Sequence, residues 1–227
     1  MDIEAHILSV QTGRAFDAGW AGRMKRTAID KTPREGGARA GPLGLDGDEQ
    51  ADTEHHGGRD KAVYAYARED LDLWESRLGR TLGNGSFGEN LTTIGIDLLT
   101  SVVGERWRVG PVLLEAALPR TPCGVFQGWL QERQWVRRFI EEGRTGVYLR
   151  VLEQGHIAPG APVTVEHRPD HGITVLAGFR AGRVGDLDTL RRLAELPGAP
   201  EEWGVWAERA ATRAQNLSGS SKTPGRT

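Results

Sequence analysis

Between residues 87 and 165 the apolar residues of this chain come in short runs, each bounded by a glycine or a proline. The runs are Asn90–Ile94, Glu105–Val109, Pro111–Leu118, Val147–Leu152 and Val163–Val165. Segments this short suit strands, and the turn residues between them let the chain reverse direction. The pattern predicts a mainly β fold, a closed or strongly curled sheet, rather than alternating strand–helix units. Residues 3–10 (IEAHILSV) roughly alternate and supply a further strand.

Helical periods are fewer. Val63, Ala67, Leu71, Trp74 and Leu78 recur at steps of three or four and predict a helix over 63–78, with Asp60 ahead to cap it and Gly79 to stop it. Leu130, Val136, Phe139 and Ile140 predict a second over 127–142. Three short helices follow, at Thr174–Ala181 (capped by Thr174), Asp186–Leu196 and Glu201–Arg213. They are too small to bury a core alone, so they are expected to pack on each other and on the barrel. Trp203 and Trp206 fall on one face of the last, packed inward or docking a partner. The division expected is a barrel over 1–170, a three-helix subdomain over 171–214 and a disordered tail over 215–227. Residues 11–62 are rich in glycine and charge and keep no period. A stretch so long either hides short strands or lines a site.

Charge and cysteine content remove several function classes. The 29 basic and 31 acidic residues give a formal net charge of −2, without the basic excess of a duplex-binding surface, so no nucleic acid partner is expected. No apolar run approaches the roughly 18 residues needed to cross a bilayer. The opening MDIEAHILSV carries acids where a secretory signal carries bases. A cytoplasmic protein without membrane contact is the expectation. Cys123 is the only cysteine, which excludes an internal disulfide and a multi-cysteine zinc or iron–sulfur site within one chain.

Four constellations can carry chemistry. In Pro119-Arg-Thr-Pro-Cys-Gly124 the thiol sits where a strand gives way to a loop, with Arg120 three residues away to favour the thiolate. An inert half-buried thiol is the plain alternative. In His55-His-Gly-Gly58 the rings can enter one pocket while Gly57 and Gly58 let backbone N–H groups approach an anion. A polar surface turn fits equally well. Lys25-Arg-Thr27 with Lys31 and Arg34 can clamp a phosphate or form a solvated patch. In Phe87-Gly-Glu-Asn90 and Arg144-Thr-Gly146, Asn90 and Thr145 can hydrogen-bond a heterocycle and Arg144 a phosphate, whereas Glu89 lacks a second carboxylate to act as an acid.

These segments, with Gly44–Asp52 and Asp60–Val63, occur in an order that resembles the MOSC family, named for the C-terminal domain of molybdenum cofactor sulfurases. The resemblance covers about residues 1–170 and narrows to the bacterial branch that protects cells against N-hydroxylated base analogues; the helices at 174–213 look like that branch's three-helix appendage. It implies a β-barrel with a few flanking helices whose cleft holds the molybdopterin form of the molybdenum cofactor, ligated by Cys123. Lys25, Thr27, Lys31 and Arg144 would lie near the cofactor's phosphate or rim. His55, His56, Asn90 and Thr121 would contact the pterin or orient loops, with Gly57, Arg120 and Thr145 completing the set. The activity implied is reduction of hydroxylated purines, hydroxylamines or amidoximes to amines or amidines. No nicotinamide or flavin fingerprint is visible, so a separate reductase must supply electrons. His55 or His56 is the candidate proton donor, and the chain is expected as a monomer or homodimer. Two rivals stand beside this: Cys123 as a persulfide sulfur carrier, and a module that delivers the cofactor without turnover.

Overall fold

A computed structural model describes residues 4–22, 25–51 and 57–220. The glycine-rich first quarter holds β1 (His6–Thr12), β2 (Phe16–Asp17), β3 (Arg26–Thr27), β4 (Thr32–Pro33), β5 (Ala38–Gly41) and β6 (Gly44–Leu45). Then come β7 (Val63–Ala67), α1 (Arg68–Leu78), β8 (Leu91–Ile94), β9 (Arg106–Val109) and β10 (Val112–Pro119). After α2 (Gly124–Leu130) and α3 (Trp135–Glu142) the chain forms β11 (Val147–Glu153), β12 (Gly155–Ile157) and β13 (Val163–His167). The last elements are α4 (Val175–Val184), α5 (Leu187–Ala194) and α6 (Glu201–Ser220).

The main sheet runs β13-β9-β10-β11-β7-β8-β1-β4. Its two flanks meet. The Ile7 amide donates to Ala161 O at 2.9 Å, Gly160 N to Ile7 O at 2.7 Å, and Val163 N to Ala5 O at 2.8 Å. These bonds join β1 to the segment entering β13 and close the sheet into a barrel, which removes the exposed edges an open sheet would leave. Each strand expected between 87 and 165 is present, displaced by a residue or two at its ends. The period-less stretch over 11–62 contains short strands and also, as shown below, one wall of a cleft.

Two helix expectations need correction. Residues 63–67 are the strand β7, and the helix begins only at Arg68. Positions four apart share a face in a strand as they do in a helix, so Val63 and Ala67 could not tell the two apart. All five residues of β7 are buried, between β8 and β11, which erased the alternation that marks a half-exposed strand. Asp60 caps nothing; it lies in a 3₁₀ turn and accepts from Arg150 Nε at 2.5 Å. The second predicted helix is two helices, α2 and α3, broken where Gln131 and Gln134 take left-handed φ of 56° and 55°.

Outside the barrel, α1, α2 and α3 enclose an aromatic cluster. Phe87 meets Phe126 at 5.1 Å and Trp135 at 5.3 Å, both edge to face, and Trp74 meets Trp135 at 4.6 Å. Such contacts hold orientation as well as area, and they fix α2, whose first turn begins beside Cys123. The 85–89 turn feeding this cluster is pinned by Glu89, fully buried, which accepts from Gly85 N at 2.5 Å, Phe87 N at 2.9 Å and Thr92 Oγ1 at 3.0 Å. A side chain at Gly88 (φ +72°) would come within 2.9 Å of Ile29, so this turn packs directly on the first-quarter loop.

The C-terminal helices lie against the barrel wall. Thr174 caps α4 through its Oγ1, which accepts from Ala177 N at 3.0 Å, as its position suggested. Trp203 is wholly buried and donates from Nε1 to the Ala117 carbonyl of β10 at 3.2 Å. Gly178 lets it in, since a Cβ there would stand 2.5 Å from its ring. Trp203 therefore packs inward, with Trp206 edge-on at 5.1 Å. Helix α6 continues past Arg213 to Ser220, so the stretch expected as a tail from 215 begins inside it; residues 221–227 lie outside those described. No helix among the described residues is long and apolar enough to cross a membrane. Replacing Trp203 with alanine is expected to cost about 3–5 kcal/mol, read as a lower urea midpoint.

Candidate active site

The start of β8, the end of β10 and the start of β11 meet the middle of β7 on one side of the barrel. There Lys61, Tyr64, Asn90, Arg120 and Tyr148 face the first-quarter segments 20–22, 26–31 and 48–51 across a cleft of about 460 Å³. That volume suits a cofactor or a drug-sized ligand. Cys123 lies on its wall, half-buried, between Pro122 and α2, with extended φ and ψ of −131° and 173°. It is neither sealed in an aliphatic core nor displayed on open surface. Trp20, 41% exposed, forms an aromatic lip supported by Trp129 at 6.0 Å.

One carboxylate organises the wall. Asp48 Oδ1 accepts from Lys31 Nζ and from Gly13 N at 2.7 Å, and Oδ2 accepts from Asn90 Nδ2 at 2.9 Å. Burial lowers the Lys31 pKa, and the Asp48 charge and hydrogen bond oppose that fall. Arg120 is 8% exposed, its guanidinium 4.2 Å from the Phe126 ring and 4.9 Å from that of Tyr64, and Nη1 donates to Phe87 O at 2.5 Å. Burial works against its charge, but Tyr64, Tyr148 and Cys123 more than offset this and raise its pKa. Burial raises both tyrosines, so both phenols stay protonated and can donate; Arg120 opposes that rise at each. Lys61 pairs with Glu202 of α6 at 2.7 Å, which ties the C-terminal helices to the cleft.

Of the residues singled out in the sequence, Thr27, Lys31, Asn90, Arg120 and Cys123 meet on this wall. Asn90 does not offer its amide to a ligand. Its Oδ1 accepts from Tyr64 N at 3.1 Å, and Nδ2 donates to Asp48 and to Gln11 O at 3.3 Å, so it is a brace. Lys25 and Thr121 are exposed and Gly57 half-buried, and none of the three lines the cleft. Arg144 points elsewhere: it pairs with Asp70, and with Glu142 at 3.2 Å. Thr145 is buried, its Oγ1 donating to Gly146 O at 2.9 Å, and its carbonyl accepts from the Tyr64 hydroxyl at 2.8 Å. The Arg144–Gly146 turn therefore supports the cleft from behind. The spacing of the turn suggested a polar site but could not say on which side of Tyr64 it lay. His55 and His56 lie outside the described residues.

Sequence reasoning missed Trp20, Lys61, Tyr64 and Tyr148 as wall residues, and Asp48 as their organiser. Tyr64 and Tyr148 sit directly opposite one another in the β7–β11 register, a pairing that only the fold reveals. Among the described residues no three His, Cys, Asp or Glu side chains stand together as a metal site.

Residues 52–164 match the pattern that defines the MOSC domain. The uncharacterized protein YflK of Bacillus subtilis is 32% identical over 199 residues, 87% of this chain and 90% of YflK. The chain belongs to the MOSC domain family. Among solved MOSC-like structures, YiiM from Geobacillus stearothermophilus superposes with a TM-score of 0.77 at 26% identity, covering 91% of this chain and 98% of that one. The Escherichia coli protein YiiM is 28% identical over 183 residues, 79% of this chain and 82% of its own. A Gibberella moniliformis protein named a reductase is 30% identical over 198 residues, 86% of this chain but 35% of its own length.

The placement of Arg144 has a measurable consequence. Burial holds the Asp70 pKa above its ordinary 3.8, with Arg144 opposing that rise. A carboxylate whose folded pKa is raised loses stability as pH climbs above the unfolded value, and removing Arg144 widens that loss. Arg144→Gln is expected to cost about 1–3 kcal/mol at neutral pH and less below pH 3.8, where Asp70 is protonated in both states. Urea unfolding at the two pH values checks this.

Proposed function

We propose that this MOSC cleft holds the molybdenum cofactor through Cys123 and reduces N-hydroxylated compounds. The observation that carries the reading is the setting of the lone thiol, which shares one cleft with the buried cations Lys31 and Arg120. The side chains fit the group: a soft sulfur donor for the metal, and cationic and hydroxyl donors, Lys31 and Thr27, for an anionic cofactor. The fungal relative named a reductase supports redox chemistry.

In this reading an N-hydroxy compound takes up two electrons and two protons and leaves as the amine, or the amidine from an amidoxime, and water. The cofactor, when bound, supplies the two-electron exchange at the metal. The chain provides the rest. Cys123 anchors the group, Asp48 keeps Lys31 and the Asn90 brace in place, and Trp20 offers an aromatic face to a planar substrate. Tyr148 presents a protonated phenol to the cleft. A separate reductase is the electron donor.

Protein purified from cells able to make the cofactor should carry about one molybdenum per chain by elemental analysis, lost in Cys123→Ala. Loaded protein with a chemical reductant should convert a hydroxylated purine to the amine. Absence of molybdenum under those conditions overturns the reading; metal with no turnover converts it to cofactor delivery. A persulfide mass on Cys123 without metal would instead favour sulfur carriage.

A further inference from the structure

Two polar side chains on the cleft wall are nearly buried yet incompletely satisfied by protein. Arg120 is 8% exposed and forms no ion pair among the described residues. Its bond to the Phe87 carbonyl and its contact with Tyr64 leave part of a five-donor guanidinium turned to the cleft. Tyr148 is 9% exposed, and its hydroxyl has no hydrogen-bond partner among the described residues. Cys123 lines the same cleft as both. Lys31, Lys61 and Glu49 on the same wall each have a protein partner, Asp48, Glu202 and Ala15 N (2.8 Å) respectively.

We propose that the Arg120 guanidinium and the Tyr148 hydroxyl form an oxyanion subsite beside Cys123, built for one negatively charged or strongly polarised oxygen. Both groups donate, and among the described residues no carboxylate is hydrogen-bonded to either. Neither can swing away. The guanidinium is held between the Phe126 and Tyr64 rings, and the Tyr148 ring packs on Tyr64 with centroids 4.9 Å apart. Donors fixed in advance at a buried site stabilise charge on oxygen without reorganising when it arrives. The occupant in catalysis is the oxygen of the substrate's N–OH group; that identification rests on the reductase reading, while the subsite itself does not.

The test uses the full chain free of cofactor, in which Cys123 is the only cysteine and alkylation reports one site by mass. The Cys123 sulfur displaces iodide from iodoacetate or iodoacetamide, reagents of similar size of which only the first carries an anionic oxygen. The iodoacetate-to-iodoacetamide rate ratio should be about tenfold higher for the folded chain than for the chain in urea, the scale of one charge-assisted hydrogen bond. Tyr148→Phe should lower the ratio severalfold, and Arg120→Gln should return it to the unfolded value. Tyr148→Phe leaves every charge in place, so a field effect alone does not predict its loss. Tyr148→Phe removes one oxygen and keeps the ring, so it decides the matter even if Arg120→Gln does not fold, which circular dichroism reveals. Equal ratios in folded and unfolded chain, or a ratio unmoved by Tyr148→Phe, overturn the subsite. In molybdenum-loaded protein, Tyr148→Phe should keep its metal and lose turnover about tenfold or more. Loss of metal there would hand the subsite to the cofactor and overturn its assignment to substrate. Absence of turnover in the unsubstituted protein defeats the reductase reading alone, because the alkylation ratio still decides the subsite.

Discussion

Asp48 ties an irregular loop to a regular barrel, and the cleft exists because of that tie. Its two oxygens take hydrogen bonds from Gly13 N, Lys31 and Asn90, three partners from three separate stretches of chain. A buried ion pair alone is a weak source of stability, because desolvation consumes much of the Coulombic gain. Here two further hydrogen bonds reach the same carboxylate, so the group specifies geometry more than it adds free energy. Asn90 passes the constraint on to Tyr64 through the backbone N–H of β7. The loop wall and the barrel wall are thereby held at a fixed spacing.

Much of the barrel was legible in the sequence because glycine and proline mark the ends of its strands. What was not legible has a common cause. β7 is buried throughout, and a fully buried strand shows no alternation; only its neighbours identify it. The site was half legible. Cys123 declared itself by being solitary and by standing between a proline and a glycine at a strand's end. Thr27 and Lys31 were found because cations and hydroxyls cluster there. Arg144 belonged to the same compositional class, yet Asp70 and Glu142 claim it on the far side of Tyr64. Sequence spacing shows that a charge is nearby; it does not show which acid reached it first. Tyr148 was unreadable for the opposite reason, since a tyrosine in an alternating strand has every mark of ordinary packing.

The C-terminal helices take part in the site without contributing chemistry to it. Trp203 anchors them to the Ala117 carbonyl of β10, and Arg150 of β11 reaches both Gly198 O at 2.6 Å and Asp60. Asp60 and Lys61 are adjacent, and Lys61 faces the cleft while bonding Glu202. The appendage thus grips the short turn entering β7 from two directions. Its role is to hold rigid the edge of the pocket that follows the double histidine.

Ring closure through residues 5–7 and 160–163 also dictates when the pocket can come into being. The residues at 160–163 that bond to residues 5–7 are among the last of the barrel to leave a ribosome, so the nascent chain cannot complete the circle until they have been made. Until then Tyr148 and Lys31 have no common wall. Any ligand of the closed cleft therefore meets it only after the segment carrying residues 160–163 has been made.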